Sequence, residues 1–108
     1  MKIFDYTTTG GKNLITTYID KLPSTQRASI YFIRQKIEED GMMALKTIDT
    51  KQLYKKIYEI RISNERIAYI LIDSDNVFFL HIFKKQKGKT GKNDKDIAIK
   101  RAKEEGLL

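Results

Sequence analysis

Three runs, Ile57–Ser63 (IYEIRIS), Arg66–Asp73 (RIAYILID) and Val77–Lys85 (VFFLHIFKK), follow one another with only short Ser-Asn-Glu and Ser-Asp-Asn turns between them, at residues 63–65 and 74–76. Each is rich in Ile, Val, Tyr and Phe, whose branched or flat side chains suit a pleated surface, and the polar links suit tight hairpins. The pattern predicts a three-stranded antiparallel meander. Along the first run Tyr58, Ile60 and Ile62 alternate with Ile57, Glu59 and Arg61. Successive strand residues point to opposite faces. Only the first set is wholly apolar, so it is expected to face the core, with Glu59 and Arg61 turned to the other side.

Upstream, Lys2 to Tyr6 reads as a short strand closed by the turn-prone run Thr7–Gly11. From Asn13 to Leu22 the residues Leu14, Ile15, Tyr18, Ile19 and Leu22 recur at helical spacing. Pro23 stops that helix and starts another, because proline suits a first helical turn and disfavours helix in the residue before it. The second helix runs to about Asp40, carries Ile30, Ile33 and Ile37 on one side, and ends at Gly41. So short a link implies an antiparallel helical hairpin. Met42–Lys56 is expected to be a loop with a helical turn. Gly88 and Gly91 break the chain after the meander, and Asp94–Glu105 reads as a charged helix with Ile97, Ala98 and Ala102 on one side. The order is β-α-α-β-β-β-α. It makes a single α+β domain over residues 1–108, a helical hairpin packed on a small antiparallel sheet, with room for one modest core.

Composition narrows the function. The chain is 41% apolar and 32% charged, the balance of an ordinary globular protein. It has no cysteine, so neither disulfides nor thiolate metal sites hold it together. With one histidine as well, a zinc site is not expected and no metal or other cofactor is called for. Its apolar runs fall far short of the roughly 20 residues that cross a bilayer. MKIFDYTTTGG lacks the apolar stretch of a secretory signal, so a cytoplasmic location, away from membranes, is expected. The phosphate-cradling patterns G-x-x-x-x-G-K-[ST] and G-x-G-x-x-G are absent.

The net charge of +7 is concentrated. Residues 84–103 hold nine Lys and Arg against Asp94 and Asp96, whereas residues 1–83 are close to neutral. Such a cluster draws in phosphates over about 8–10 Å at physiological salt. RNA is the polyanion this suggests, and a solubilising tail is the plainer alternative.

Arg61 and Arg66 flank one hairpin turn, and His81, Lys84 and Lys85 end the third run. Arginine's planar fork engages two phosphate oxygens at once, while lysine offers a mobile point charge. Together they could stabilise charge that develops on a phosphate. His81, expected by alternation to share a face with Phe79 and Phe83, is either a catalyst or a strand residue making a local hydrogen bond. Glu59 and Arg61 share a face, as a surface ion pair or as a pair that orients Arg61 for phosphate. Tyr58 is expected in the core, which leaves Tyr54 and Tyr69 as candidates for stacking on bases.

Tyr58-Glu59-Ile60-Arg61, then Arg66, then Leu80-His81-Ile82-Phe83-Lys84-Lys85, with the charged helix after them, resemble the RelE/HigB superfamily of toxin–antitoxin toxins, most of all its phage-derived HigB-like branch. The resemblance covers roughly residues 51–105. It implies a compact fold like that of microbial RNases and a ribosome-dependent, metal-independent mRNA endoribonuclease in which the substrate's 2′-hydroxyl attacks the adjacent phosphate. On that reading Arg61 stabilises the phosphorane and Arg66 positions the backbone, while Lys84 and Lys85 hold phosphates or replace a base. Lys51 and Lys55 lie where the family places further basic groups. The lysines from Lys87 to Lys95 become contacts to the ribosome or the antitoxin. The chain departs from the family in reading KKQKGKTGKNDKDI where a proline usually follows, which bears on the placement of Gln86, Lys87 and Lys89 as RNA contacts. The resemblance also implies a cognate antitoxin with a helix-turn-helix domain, and operator DNA reached only through that complex. The alternative class is a non-catalytic nucleic-acid-binding module or an inactive toxin relic.

Overall fold

The three runs form the middle of a five-stranded sheet rather than a whole one. The computed structural model describes all of residues 1–108. Its elements are β1 (Lys2–Asp5), α1 (Leu14–Asp20), α2 (Ser24–Asp40), α3 (Met42–Thr47), β2 (Thr50–Tyr54), β3 (Ile57–Ile62), β4 (Glu65–Asp73), β5 (Asn76–Lys84) and α4 (Lys92–Glu104). The strands lie in the order β1-β5-β4-β3-β2, with β1 parallel to β5 and every other pair antiparallel. The α+β class, the helical hairpin and the meander stand as read from the sequence, but the sheet is mixed and wider. No helix is long and apolar enough to cross a membrane.

Residues 42–56 hold structure where a loop was expected. Gly41 adopts φ +58, a conformation that glycine reaches at little cost, and so ends α2 and releases α3 within one residue. Strand β2 (TKQLY) escapes a hydropathy reading because it is an edge strand with Lys51 and Gln52 exposed. It is held by pairing Thr50, Lys51 and Gln52 with Ile60, Glu59 and Tyr58.

Both faces of the sheet are covered. On the front, Ile15 and Ile19 of α1, Ile30 and Ile37 of α2, and Ala44 and Leu45 of α3 pack on Ile60, Ile62, Ile67, Tyr69, Val77, Phe79 and Ile82. On the back, Ala98 and Ala102 of α4 pack on Ile57, Ala68, Ile70, Phe78, Leu80 and Phe83. Each large side chain removed from water contributes roughly 1.5–3 kcal/mol. The front core contains one buried acid, Glu65, which accepts a hydrogen bond from the Tyr18 hydroxyl at 2.5 Å.

One irregularity governs β5. Ala68 pairs with His81 and Tyr69 with Phe79, so Leu80 has no partner and forms a bulge. Phe79 and Ile82 therefore both face front, while Leu80, His81 and Phe83 face back. The alternation that would put His81 with Phe79 is broken there. Its companion is Phe83 alone, with ring centroids 5.0 Å apart.

The N-terminal strand is locked by charge. Arg34 of α2 grips Asp5 with Nη1 at 2.8 Å and Nη2 at 3.0 Å, and Asp5 also accepts from Asn13, the residue that caps α1. Both side chains of the pair are mostly buried. Removing one partner strands the other's charge in a poor solvent. Arg34→Met should lower unfolding free energy by about 3 kcal/mol, read from urea melts, while Glu38→Gln at an exposed position of α2 should leave it within about 0.5 kcal/mol.

Candidate nucleic-acid interface

Arg61 of β3 and Arg66 of β4 are directly paired across their hairpin and stand on the back face beside Phe83. Like charges placed opposite one another repel, and the two arginines are treated differently. Arg66 donates through Nη1 to the carbonyls of Ser63 (3.0 Å) and Glu65 (2.8 Å). Arg61 has no such anchor, and its Nε is buried without a hydrogen-bond partner. A buried donor left unmet costs about 1–3 kcal/mol, so this guanidinium is primed to donate to an anion's oxygen.

Glu59 is the residue that strand alternation undersold. It is only 4% exposed, and its Oε2 accepts a hydrogen bond from the Thr90 hydroxyl at 2.8 Å. It is not an ion pair with Arg61, because neither carboxylate oxygen lies within 4 Å of that guanidinium. Both forms of the expected Glu59–Arg61 pairing are thus corrected: Glu59 is not at the surface, and it holds the 85–91 loop instead of the arginine. A signal was available, since a C-terminal helix with an apolar side must cover the back face, and anything beside it is buried.

Two depressions meet at Glu59. A recess of about 20 Å³ is lined by Glu59, Arg61, Arg66, Phe83, Lys85, Gln86, Gly88, Lys89 and Thr90. A larger cleft of about 460 Å³ runs from Glu59 between β2 and the start of α4, past Lys51, Gln52, Leu53, Lys89, Thr90, Lys92, Lys95 and Asp96. Gln52 and Thr90 were not singled out from the sequence, and Lys92 and Lys95 were expected only among the lysines that meet the ribosome or the antitoxin. They come from a polar edge strand and a loop that only the fold brings together.

The remaining candidates divide. Lys85, Gln86 and Lys89 line the recess and Lys51 the cleft. Lys84 pairs with Glu65 and so stands on the front face, away from Arg61. Lys87 is exposed and lines neither depression. The Tyr54 ring has the Lys55 ammonium at 5.3 Å and the Lys95 ammonium at 5.5 Å from its centroid, so cations already occupy its surroundings. The expectation for the other tyrosines is reversed. Tyr69 is 5% exposed in the front core, whereas Tyr58, one strand nearer the β2 edge, is 39% exposed. No three His, Cys, Asp or Glu side chains come together as a metal site would need.

His81 is engaged on both ring nitrogens. Arg101 donates through Nη1 to Nδ1 at 3.3 Å and to the Leu80 carbonyl at 3.1 Å. Arginine can only donate, so Nδ1 accepts and the proton sits on Nε2, which donates to Asp94 at 2.9 Å. Asp94 in turn accepts from Gln86 at 3.2 Å, and the Gln86 side chain rests so closely on Gly91 that a Cβ there would collide with it. Arg101 also lies over the Tyr6 ring at 4.3 Å. This chain of contacts fastens α4 and the 85–91 loop to the sheet. Burial first, and the nearby Arg101 charge, hold the imidazole's pKa below its ordinary 6.5, against the pull of Asp94.

A five-stranded mixed sheet with three helices in front and one behind is a RelE-like fold. The same fold occurs in a chain of the RelB–RelE antitoxin–toxin complex from Methanococcus jannaschii. That match has a TM-score of 0.53 and 21% identity, and it covers 64% of this chain and 81% of that one. No curated protein matches the chain. Residues 17–103 match the family described as phage derived protein Gp49-like (DUF891). The chain belongs to this Gp49-like family, a family of RelE/HigB-type toxins of toxin–antitoxin systems.

The neutral His81 gives a pH signature. Its pKa is depressed in the folded chain, so the unfolded chain binds more protons as pH falls below 6.5, and stability drops. The urea midpoint should decline between pH 7.5 and pH 5. In His81→Phe, less stable at pH 7.5, most of that slope should vanish.

Proposed function

We propose that this chain is the toxin of a type II toxin–antitoxin pair and that it cleaves mRNA on the ribosome by a metal-independent route. The observation that carries this reading is Arg61, a guanidinium with an unmet buried donor, set beside Arg66, Lys85 and Lys89 in a recess whose wall is the buried carboxylate of Glu59.

The chemistry follows from those groups. A phosphodiester enters with its non-bridging oxygens toward Arg61, which holds the extra charge of the phosphorane, and Arg66 steadies the backbone. The 2′-oxygen attacks phosphorus as the free oxygen of Glu59 takes its proton. The phosphorus–O5′ bond then breaks, and the leaving oxygen takes a proton from Lys85. The products are a 2′,3′-cyclic phosphate and a 5′-hydroxyl. Lys84 stands on the opposite face and is assigned here to the ribosome, with Lys87 and the exposed lysines after it. Lys51 borders the RNA path in the cleft, Lys55 and Tyr54 border it beyond, and Gln86 and Lys89 border it at the recess. His81 fixes the helix behind them rather than moving a proton. The solved RelB–RelE structure is an antitoxin–toxin complex. By analogy, a cognate antitoxin covers this basic face, with a helix-turn-helix domain that carries the pair to operator DNA. Such work is done in the cytoplasm.

One observation favours a second reading, a non-catalytic RNA-binding module or inactive relic. The recess holds about 20 Å³, enough for about one water and not for a phosphate. In the first reading the loop bearing Thr90 lifts from Glu59 when RNA binds.

Induced expression should arrest growth and produce cuts, seen by primer extension, only within translated frames. Arg61→Ala should lower cleavage by about 10²–10³-fold with its thermal midpoint retained. A wild-type chain that neither slows growth nor cuts RNA leaves the second reading.

A further inference from the structure

The front of the β3–β4 hairpin carries a second charged place, and its charge is negative. Glu65 is 2% exposed and lines a pocket of about 100 Å³ between that hairpin and the first turns of α2. Its Oε2 accepts from the Tyr18 hydroxyl, whereas its Oε1 receives no hydrogen bond from the chain. That oxygen is not sealed in either, because Arg61 Nε is the only buried side-chain nitrogen or oxygen without a partner. Oε1 therefore meets the outside, and the pocket is the opening that Glu65 lines. No cation of the chain answers the carboxylate. Lys84 stands opposite on β5 but is exposed, and no lysine or arginine nitrogen lies within 4 Å of Glu65. Arg66 spends Nη1 on the carbonyls of Ser63 and Glu65, and Arg27 spends its own on those of Asp20 and Leu22. A buried carboxylate without a cation is costly, and a cation seated beside it offsets much of that cost.

The lining selects the kind of cation. Ile30 and Ile62 give it apolar walls, and Thr25, Gln26 and Ser63 bring side-chain oxygens that no hydrogen bond within the chain uses. An ammonium has three donors to share between Glu65 and these oxygens, and a methylene stem suits the isoleucines. The volume admits several waters, hence an ammonium on a short stem, but falls below the roughly 300–1,000 Å³ of drug-sized ligands. The positive end of α2 opposes a cation, yet it amounts to about half a charge at an exposed terminus, against a whole buried one. The net charge of +7 repels free polycations, whereas a side chain presented by a bound protein arrives at high local concentration. We propose that the pocket between the β3–β4 hairpin and the start of α2 receives a lysine side chain of a partner protein, with Glu65 as its counter-ion.

The test is an NMR titration of the whole chain with N-acetyl-lysine methylamide, and with the norleucine analogue, which has the same stem without the nitrogen. The lysine probe should shift the amide signals of Gln26, Ile62 and Ser63 saturably in the millimolar range, and the norleucine probe should not. Glu65→Gln should weaken the binding about tenfold or more. Ser29→Leu fills the mouth of the pocket without touching the carboxylate, and should do the same. Ser29 is exposed on α2 and lines the pocket, so this variant keeps the test open where Glu65→Gln fails to fold. Equal shifts with the norleucine probe, or lysine binding unchanged in the folded variants, would overturn the site. Spermidine binding here more than about tenfold tighter than the lysine probe overturns the lysine assignment in favour of a free polyamine. None of these outcomes depends on RNA cleavage, so the nuclease reading stands or falls separately.

Discussion

A single helix cannot roof a five-stranded sheet, and the rest of this structure follows from that limit. Helix α4 has 13 residues, a length of about 20 Å at 1.5 Å per residue, and about 10 Å of width. The sheet spreads over five strands spaced about 4.8 Å apart. Three helices close the front face, but the back has only α4 and the terminal Leu107 and Leu108. Where apolar cover runs out, at the β3–β4 hairpin, the side chains change to Glu59, Arg61 and Arg66. The charged site lies at the rim of what α4 covers, where the loop bearing Thr90 closes over Glu59.

Holding α4 in place therefore matters as much as the residues it leaves bare. Arg101 reaches the Leu80 carbonyl and His81, and His81 reaches Asp94. Asp94 passes the constraint through Gln86 to the loop, whose Thr90 closes on Glu59. The only histidine thus acts in the middle of a relay of fixed contacts. Its uncharged state suits that place, because a second cation beside Arg101 would repel it.

Much of this was legible in the chain. The meander, the helical hairpin and the two-faced character of IYEIRIS follow from periodicity, because burial imposes a period of two on strands and about 3.6 on helices. Strand β2 was not legible, since an edge strand needs no apolar alternation. Nor was the burial of Glu59, which depends on α4 returning across the back face from some 35 residues away. Tyr58 and Tyr69 exchanged places because distance from the sheet edge, not residue type, decides which is covered. The site was readable as chemistry in Arg61 and Arg66 and opaque as geometry. Lys92, Lys95 and Thr90 join it only through tertiary contact.

The bulge at Leu80 resets the phase of β5 halfway along. Continued from Phe79 without it, the alternation would turn Phe83 and Lys85 to the front and Lys84 to the back. With it, Phe83 and Lys85 belong to the back and Lys84 to the front. Two adjacent lysines at the end of such a strand act as a tolerance built into the text: whichever way the register falls, one ammonium reaches the arginines. The doubled lysine lets the chain absorb a one-residue slip in β5 without emptying the pocket of charge.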